Sequence, residues 1–321
     1  MKQYDVTALG ELLIDFTENG ISDNGNPIFE ANPGGAPGNV LSMLCSLGKH
    51  TAFIGKVGAD NFGQTLKKTA EKIGIDISGI SENTEIPTTL AFVHTLPGGD
   101  REFSFYRSPG ADVTLSEEDL KTDLIENCRI FHFGTLSMTD ISCEKATKTA
   151  IEMAKKSGAV ISFDPNLRMS LWKSYDKLRE CVEYGLSVCD ILKISDNEIE
   201  WLTGSTDYRS AAEKLKKQYH ISLVFVTLGK DGSMALADTA YAYHSGYQVK
   251  SIEATGAGDT FFGSALNFII DKEQQDYSEN ELYEILRFAN AAAAVITTRK
   301  GAMKVMPTRS EIEHLIHADS K

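Results

Sequence analysis

The chain has 321 residues, 42 % of them hydrophobic and 24 % charged, as in a globular protein with a sizeable core, which sets aside disordered and fibrous classes. The formal net charge of −13 argues against a nucleic-acid binder, which needs basic surface to displace counterions, while a few local cations could still hold a small anionic ligand. Cys45, Cys128, Cys143, Cys181 and Cys189 form no CxxC pair and read as free thiols. No stretch reaches the ~18 apolar residues of a membrane span, and MKQYDVTALGELLIDF lacks a signal-peptide core, so a cytoplasmic protein with no membrane partner is expected.

In chain order, apolar runs of strand length alternate with helical spacing. Val6–Leu9 opens as a strand, and Thr51–Ile54 follows the helix-like Val40–Leu47. Ile130–Phe133, Ala159–Phe163, Ile191–Ile194 and Leu223–Thr227 continue the series, with helices predicted over Glu144–Lys156 and Tyr175–Val188. This rhythm predicts βαβ units: an α/β fold with a central, mostly parallel sheet flanked by helices. It reads as one domain over residues 1–321, ending in a charged tail after His314.

Two segments break the rhythm. Residues 12–33 alternate weakly around the turn residues Asn19-Gly20 and Asn24-Gly25, and residues 88–107 read as a hairpin about Pro97-Gly98-Gly99-Asp100. Together they predict a small inserted β-sheet covering a cleft.

Two glycine clusters carry the chemistry. In Pro33-Gly34-Gly35-Ala36-Pro37-Gly38-Asn39-Val40, glycines let a ligand approach the backbone and Asn39 offers a donor and an acceptor to a hydroxyl. A plain turn capping a helix from Val40 accounts for GG equally well. In Glu253-Ala254-Thr255-Gly256-Ala257-Gly258-Asp259-Thr260-Phe261, small residues open a helix whose free N–H groups suit an anion. Asp259 could simply stabilise that helix, or accept a hydroxyl proton beside a bound phosphate. Neither a Walker A sequence nor a GxGxxG after the first strand occurs.

With both clusters in order, GGAPGN and ATGAGDTF, the chain resembles the ribokinase-like (PfkB) carbohydrate kinases along nearly its whole length. The resemblance implies ATP and Mg²⁺ as cofactors, with Asp259 as catalytic base and the backbone of Gly256, Ala257, Gly258 and Asp259 as anion hole. It places Asp15 of GELLIDF with Gly34, Gly35 and Asn39 on the sugar. Lys193, Thr227, Gly229 and Gly232 (of TLGKDG), Gly256, Gly258 and Asn290 fall on the nucleotide side. FYR, ending at Arg107, and DPNLR, ending at Arg168, resemble fructokinases and put both arginines near the sugar, Arg168 also near the transferred phosphate.

The chain departs from the family pattern in two places. Ser195-Asp196-Asn197-Glu198 stands where the family has NxxE, so Glu198 is the expected metal residue, acting through water. Glu253 stands where members that use K⁺ often have Asp, which leaves K⁺ an open requirement.

The reading is therefore ATP-dependent phosphorylation of a sugar hydroxyl, D-fructose to fructose 6-phosphate. The alternatives are a 2-keto-3-deoxygluconate kinase, another PfkB sugar kinase, and a non-catalytic sugar-binding protein on the same scaffold. Similar kinases pair their lids, so a homodimer through residues 12–33 and 88–107 is expected.

Overall fold

The computed structural model describes residues 2–95, 101–270, 272 and 276–319. Among the described residues there are thirteen strands: β1 (Tyr4–Leu9), β2 (Leu13–Ile21), β3 (Pro27–Gly34), β4 (Thr51–Gly58), β5 (Ile75–Asn83), β6 (Leu90–Thr95), β7 (Arg101–Tyr106), β8 (Cys128–Gly134), β9 (Val160–Asp164), β10 (Ile191–Ser195), β11 (Leu223–Thr227), β12 (Ser233–Leu236) and β13 (Tyr241–His244). The helices are α1 (Ala36–Ser46), α2 (Asn61–Ile73), α3 (Thr122–Glu126), α4 (Ile141–Lys156), α5 (Tyr175–Val188), α6 (Asp196–Thr203), α7 (Tyr208–Tyr219), α8 (Ala257–Ile270), α9 (Glu279–Thr297) and α10 (Arg309–Asp319).

Nine strands form one sheet in the order β13-β12-β11-β10-β9-β8-β1-β4-β5, parallel from β11 to β5 and antiparallel at the β12 and β13 edge. The near-continuous apolar runs of β8, β10 and β11 follow from burial on both faces. Along β11, Val224 and Val226 face a core built with α4, α5 and α7, while Leu223 and Phe225 face one built with α1, α8 and α9. Local signals end the helices: Asp60 accepts Gly63 N–H at the start of α2, Gly74 closes it in the left-handed region, and Ser278 with Glu281 forms a capping box on α9.

The two segments that broke the rhythm form a separate four-stranded sheet, β3-β2-β6-β7, in which β2 pairs antiparallel with β3 and parallel with β6. The expected hairpin turn Pro97-Gly98-Gly99-Asp100 lies outside the described residues, as do the side chains of residues 95–103.

Several boundaries differ from expectation. Asn19-Gly20 is not a turn; it lies within β2 at a register shift between Glu18 and Ile21, whereas Asn24-Gly25, the other expected pair, lies in the reversal at Ser22–Asn26. Helix α1 begins at Ala36 rather than Val40, because Pro37 in its first turn suits the helical start and costs no hydrogen bond there. The charged stretch after His314 continues α10, whose Ile312 and Ile316 are buried against α9.

Candidate active site

A cavity of about 430 Å³ opens at the carboxyl ends of the parallel strands, where α/β sheets bind ligands. Of the predicted residues, Asp15, Gly35, Asn39, Arg168, Lys193, Gly256, Ala257, Gly258 and Asp259 line it. A larger groove of about 740 Å³, along α7 and the β13 edge, contains none of them and is lined by surface groups such as Lys216, Lys217 and Asp238.

The floor is the start of α8. Gly256 takes φ +76°, a turn conformation costly for other residues, and Asp259 follows in the first helical turn. The amides of that turn have no carbonyl above them within the helix, although Ala257 N–H donates to Ala254 O at 3.2 Å. A Cβ on Gly258 would stand 3.1 Å from Lys193 Nζ, so the ammonium lies against the bare backbone at the start of α8. Lys193 in turn is held 2.9 Å from Asp164 Oδ2, both side chains almost fully buried. Burial disfavours its charge, but Asp164, Glu198 and Asp259 outweigh that and hold the ammonium above its ordinary pKa.

Asp259 is buried and accepts a 2.7 Å hydrogen bond from Asn39 Nδ2, a contact between residues 220 apart in sequence. Burial raises its pKa, against the pull of Asn39, Lys193 and Arg168. A carboxyl so raised is nearer the pKa useful to a base at neutral pH. Asn39 Oδ1 is buried without a hydrogen-bond partner among the described residues, although Asn39 lines the cavity; a ligand hydroxyl would satisfy it.

The roof comes from the small sheet. Asp15 on β2 is pushed to about 7 by burial, with Arg168 lowering it and Glu253, Glu11 and Asp259 raising it. Gly34, directly across from Leu13, does not line the cavity; its lack of a side chain admits Asp15, since a Cβ there would lie 2.3 Å from Oδ2. Gly35 takes φ +118°, and a Cβ would strike Glu11 O at 2.4 Å.

The remaining predicted residues fall elsewhere. Gly232 (φ +92°) closes a tight turn after Thr227 and Gly229, and Asn290 Nδ2 donates to Ser233 Oγ at 2.8 Å, so the TLGKDG turn and the α9 asparagine meet between β11 and β12. Glu198 forms a capping box with Ser195, accepting its N–H at 2.8 Å, and its other oxygen accepts Leu167 N–H at 2.8 Å. Serine in place of asparagine thus makes a helix cap. With both oxygens already accepting backbone N–H groups, the fit is to a water-mediated contact with a metal, and no cluster of three metal-ligating side chains occurs among the described residues.

Arg107 stands apart from the residues gathered at the cavity. It does not line the cavity, and its guanidinium is spent on Asp112, Thr139 Oγ1 and Leu136 O at 2.6–2.9 Å. The isolated FYR motif gave no sign of that acidic partner.

Glu11 and Phe105 line the cavity although neither was assigned a role. Glu11 is buried, pushed to about 7 chiefly by burial, and accepts Ala36 N–H at 2.9 Å, supplying the cap that Gly35 cannot. Its position in GELLIDF was the available signal, but a carboxylate after a strand reads as solvated until its neighbours are known.

A profile described as pfkB family carbohydrate kinase matches residues 3–309. The chain is 39 % identical to "Fructokinase-2" of Solanum habrochaites over 308 residues, 95 % of this chain and 94 % of that one. Its fold superposes on a fructokinase with bound ATP from Xylella fastidiosa with TM-score 0.89 at 30 % identity, covering 100 % of both chains. A fructokinase from Vibrio cholerae O395 in a fructose-, ADP- and potassium-bound form aligns with TM-score 0.88 at 27 % identity, covering 98 % of this chain and 99 % of that one. The chain belongs to the pfkB family of carbohydrate kinases.

Proposed function

We propose that this protein transfers the γ-phosphoryl group of ATP to D-fructose, giving fructose 6-phosphate and ADP. The observation that carries the reading is Asp259: a buried carboxylate in the first turn of α8, against Asn39 and facing Lys193, in one cavity with Asp15. Asp259 takes the proton of the attacking hydroxyl as its oxygen bonds to phosphorus and ADP departs. The α8 amides and Lys193 hold the equatorial phosphoryl oxygens, Arg168 spans the space between phosphoryl group and sugar, and Asp15 with Asn39 orients non-reacting hydroxyls. Thr227, Gly229, Gly232 and Asn290 border the nucleotide. Mg²⁺, when bound to the phosphates, neutralises charge there, and Glu198 would receive its water shell.

The fructokinase relatives favour fructose, and the charges agree. Glu11, Asp15 and Asp259 line the cavity against Arg168 and Lys193. A sugar carboxylate near Asp15 would be disfavoured by about 1 kcal/mol or more, which weighs against 2-keto-3-deoxygluconate. A coupled ATP-consumption assay across fructose, ribose, 2-keto-3-deoxygluconate and adenosine should give fructose the highest kcat/KM; preference for the acid would overturn the substrate. Glu253 already accepts Gly301 N–H at 3.1 Å, so turnover in KCl against tetramethylammonium chloride decides the K⁺ requirement.

Residues 12–33 and 88–107 act in this reading as a lid that excludes water during transfer. Their outer face carries Phe16, Phe29, Phe92 and Tyr106 in one aromatic cluster, with Tyr106 67 % exposed. That face supports a homodimer through the lids. Light scattering should give a dimer at micromolar concentration that Tyr106→Lys weakens; a native monomer would end the dimer assignment.

A further inference from the structure

The small sheet is joined to the large domain partly through the two ends of its β6–β7 hairpin, and both ends meet one side chain. Thr89, immediately before β6, donates through Oγ1 to Asp112 Oδ1 at 2.5 Å. Arg107, immediately after β7, donates through Nε to Asp112 Oδ2 at 2.8 Å, and its Nη2 lies 2.6 Å from the same oxygen. The Arg107 and Asp112 side chains are 3 % and 2 % exposed, so water screens little of this interaction.

Asp112 belongs to the large domain. It lies in a 3₁₀ turn, Ala111–Thr114, which is tied to the entry of β6 by Ala111 N–H to Pro87 O at 2.9 Å. Arg107 continues the connection inward, donating to Leu136 O and Thr139 Oγ1 beyond β8. Close approach leaves no slack: a Cβ on Gly110 would fall 1.8 Å from Thr89 Oγ1, 2.9 Å from Asp112 Oδ1 and 3.1 Å from Arg107 Cγ. Two residues before Arg107 is Phe105, which lines the sugar cavity, as does Leu136.

We infer that Asp112 is a positioning residue for sugar binding: one buried carboxylate clamps both ends of the hairpin and so sets Phe105 and Leu136 against the substrate. Arg107 joins this clamp through Asp112 and ties it to Leu136 and Thr139. Two acceptor oxygens divided between the two ends fix the hairpin's separation as well as its angle, which neither bond does alone. The inference rests on the sugar-kinase reading, whose own failure would show as absent sugar phosphorylation by the native protein.

The test is steady-state kinetics of Asp112→Asn, with thermal denaturation as a check on folding. This variant keeps the side chain's size but removes the charge facing Arg107. Sugar KM should rise at least about fivefold, within the ~10²-fold that an ångström of misplacement costs, while the KM for ATP changes less than about twofold. Thr89→Val removes only the hydroxyl prong and should shift sugar KM in the same direction by a smaller factor, covering the case in which Asp112→Asn does not fold. Asp119→Asn, which breaks the separate Lys56–Asp119 ion pair of 2.8 Å, is the stability control and should leave sugar KM unchanged. Unchanged sugar KM in Asp112→Asn, or in Thr89→Val where only that variant folds, would overturn the proposal. So would an equal rise in the KM values of both substrates, or an Asp119→Asn shift as large as that of Asp112→Asn.

Discussion

The two ends of the cavity are built on different foundations. At the end proposed for the phosphoryl group, Lys193, Asp164, Glu198 and Asp259 stand on β9, β10 and the first turns of α6 and α8, where strands are buried on both faces and each charged group meets fixed partners. At the end proposed for the sugar, Asp15 and Phe105 stand on a four-stranded sheet with one outer face exposed, as Ile21 at 73 % and Tyr106 at 67 % show. In the proposed reading, transfer is anchored on the buried frame of the nine-stranded sheet, while recognition is carried by the smaller sheet. A rigid charge environment requires no reorganisation during transfer, whereas a cover must open for sugar to enter.

If that division holds, substitutions at the two ends should fail in different ways. Asp259→Asn should lower kcat by about 10²–10⁴-fold with sugar binding retained, read from the coupled assay and from fructose titration. Near-native turnover would remove Asp259 from the mechanism. Lys193→Met should injure fold as well as rate. It leaves Asp164 buried without its cation, a loss of about 3–5 kcal/mol visible as a lower Tm, and it strips charge from the anion hole. A variant with native Tm would show that the ion pair is not a structural support.

Asp15→Ala should do the reverse: sugar KM rising about 10- to 100-fold through lost charge-assisted hydrogen bonds, with ATP KM and Tm little changed. An equal effect on both substrates would erase the contrast. Because burial sets Asp15 at about 7, protonation below that pH removes the charged acceptor. Sugar KM should therefore rise as pH falls from about 8 to 6, and Asp15→Asn should flatten that rise.

The smallest effect separates the two regions by pH stability. His132 is buried on β8 beside Ser162 and Phe262, and burial lowers its pKa to about 3. Above about 6.5 neither folded nor unfolded chain protonates it; between about 6.5 and 3 the unfolded chain takes a proton that the folded one refuses. Its contribution to stability is thus lost as pH falls, by up to about 1.4 kcal/mol per pH unit. Glu11 and Asp15, both raised to about 7, act oppositely: the folded chain holds their protons more tightly, and that contribution is lost as pH rises from about 4 through 7. The Tm of His132→Gln relative to the native protein should improve toward pH 5; a pH-independent difference would mean the histidine is not held neutral.

The sequence by itself determined the βαβ rhythm and the two β-rich insertions, because apolar periodicity and turn residues are written locally, while the residues that converge on the cavity were marked by the resemblance of its motifs to the kinase family. Leu223–Thr227 and Tyr175–Val188 match their elements to the residue. Only the tertiary structure decided which charges are buried and with whom. Glu11 caps α1 from the loop between β1 and β2, Asp112 takes Arg107 away from the cavity, and Asn39 reaches Asp259 across 220 residues. A carboxylate's burial, and hence its proton affinity and role, depends on neighbours brought by chain folding, and no local pattern around Glu11 or Arg107 records them.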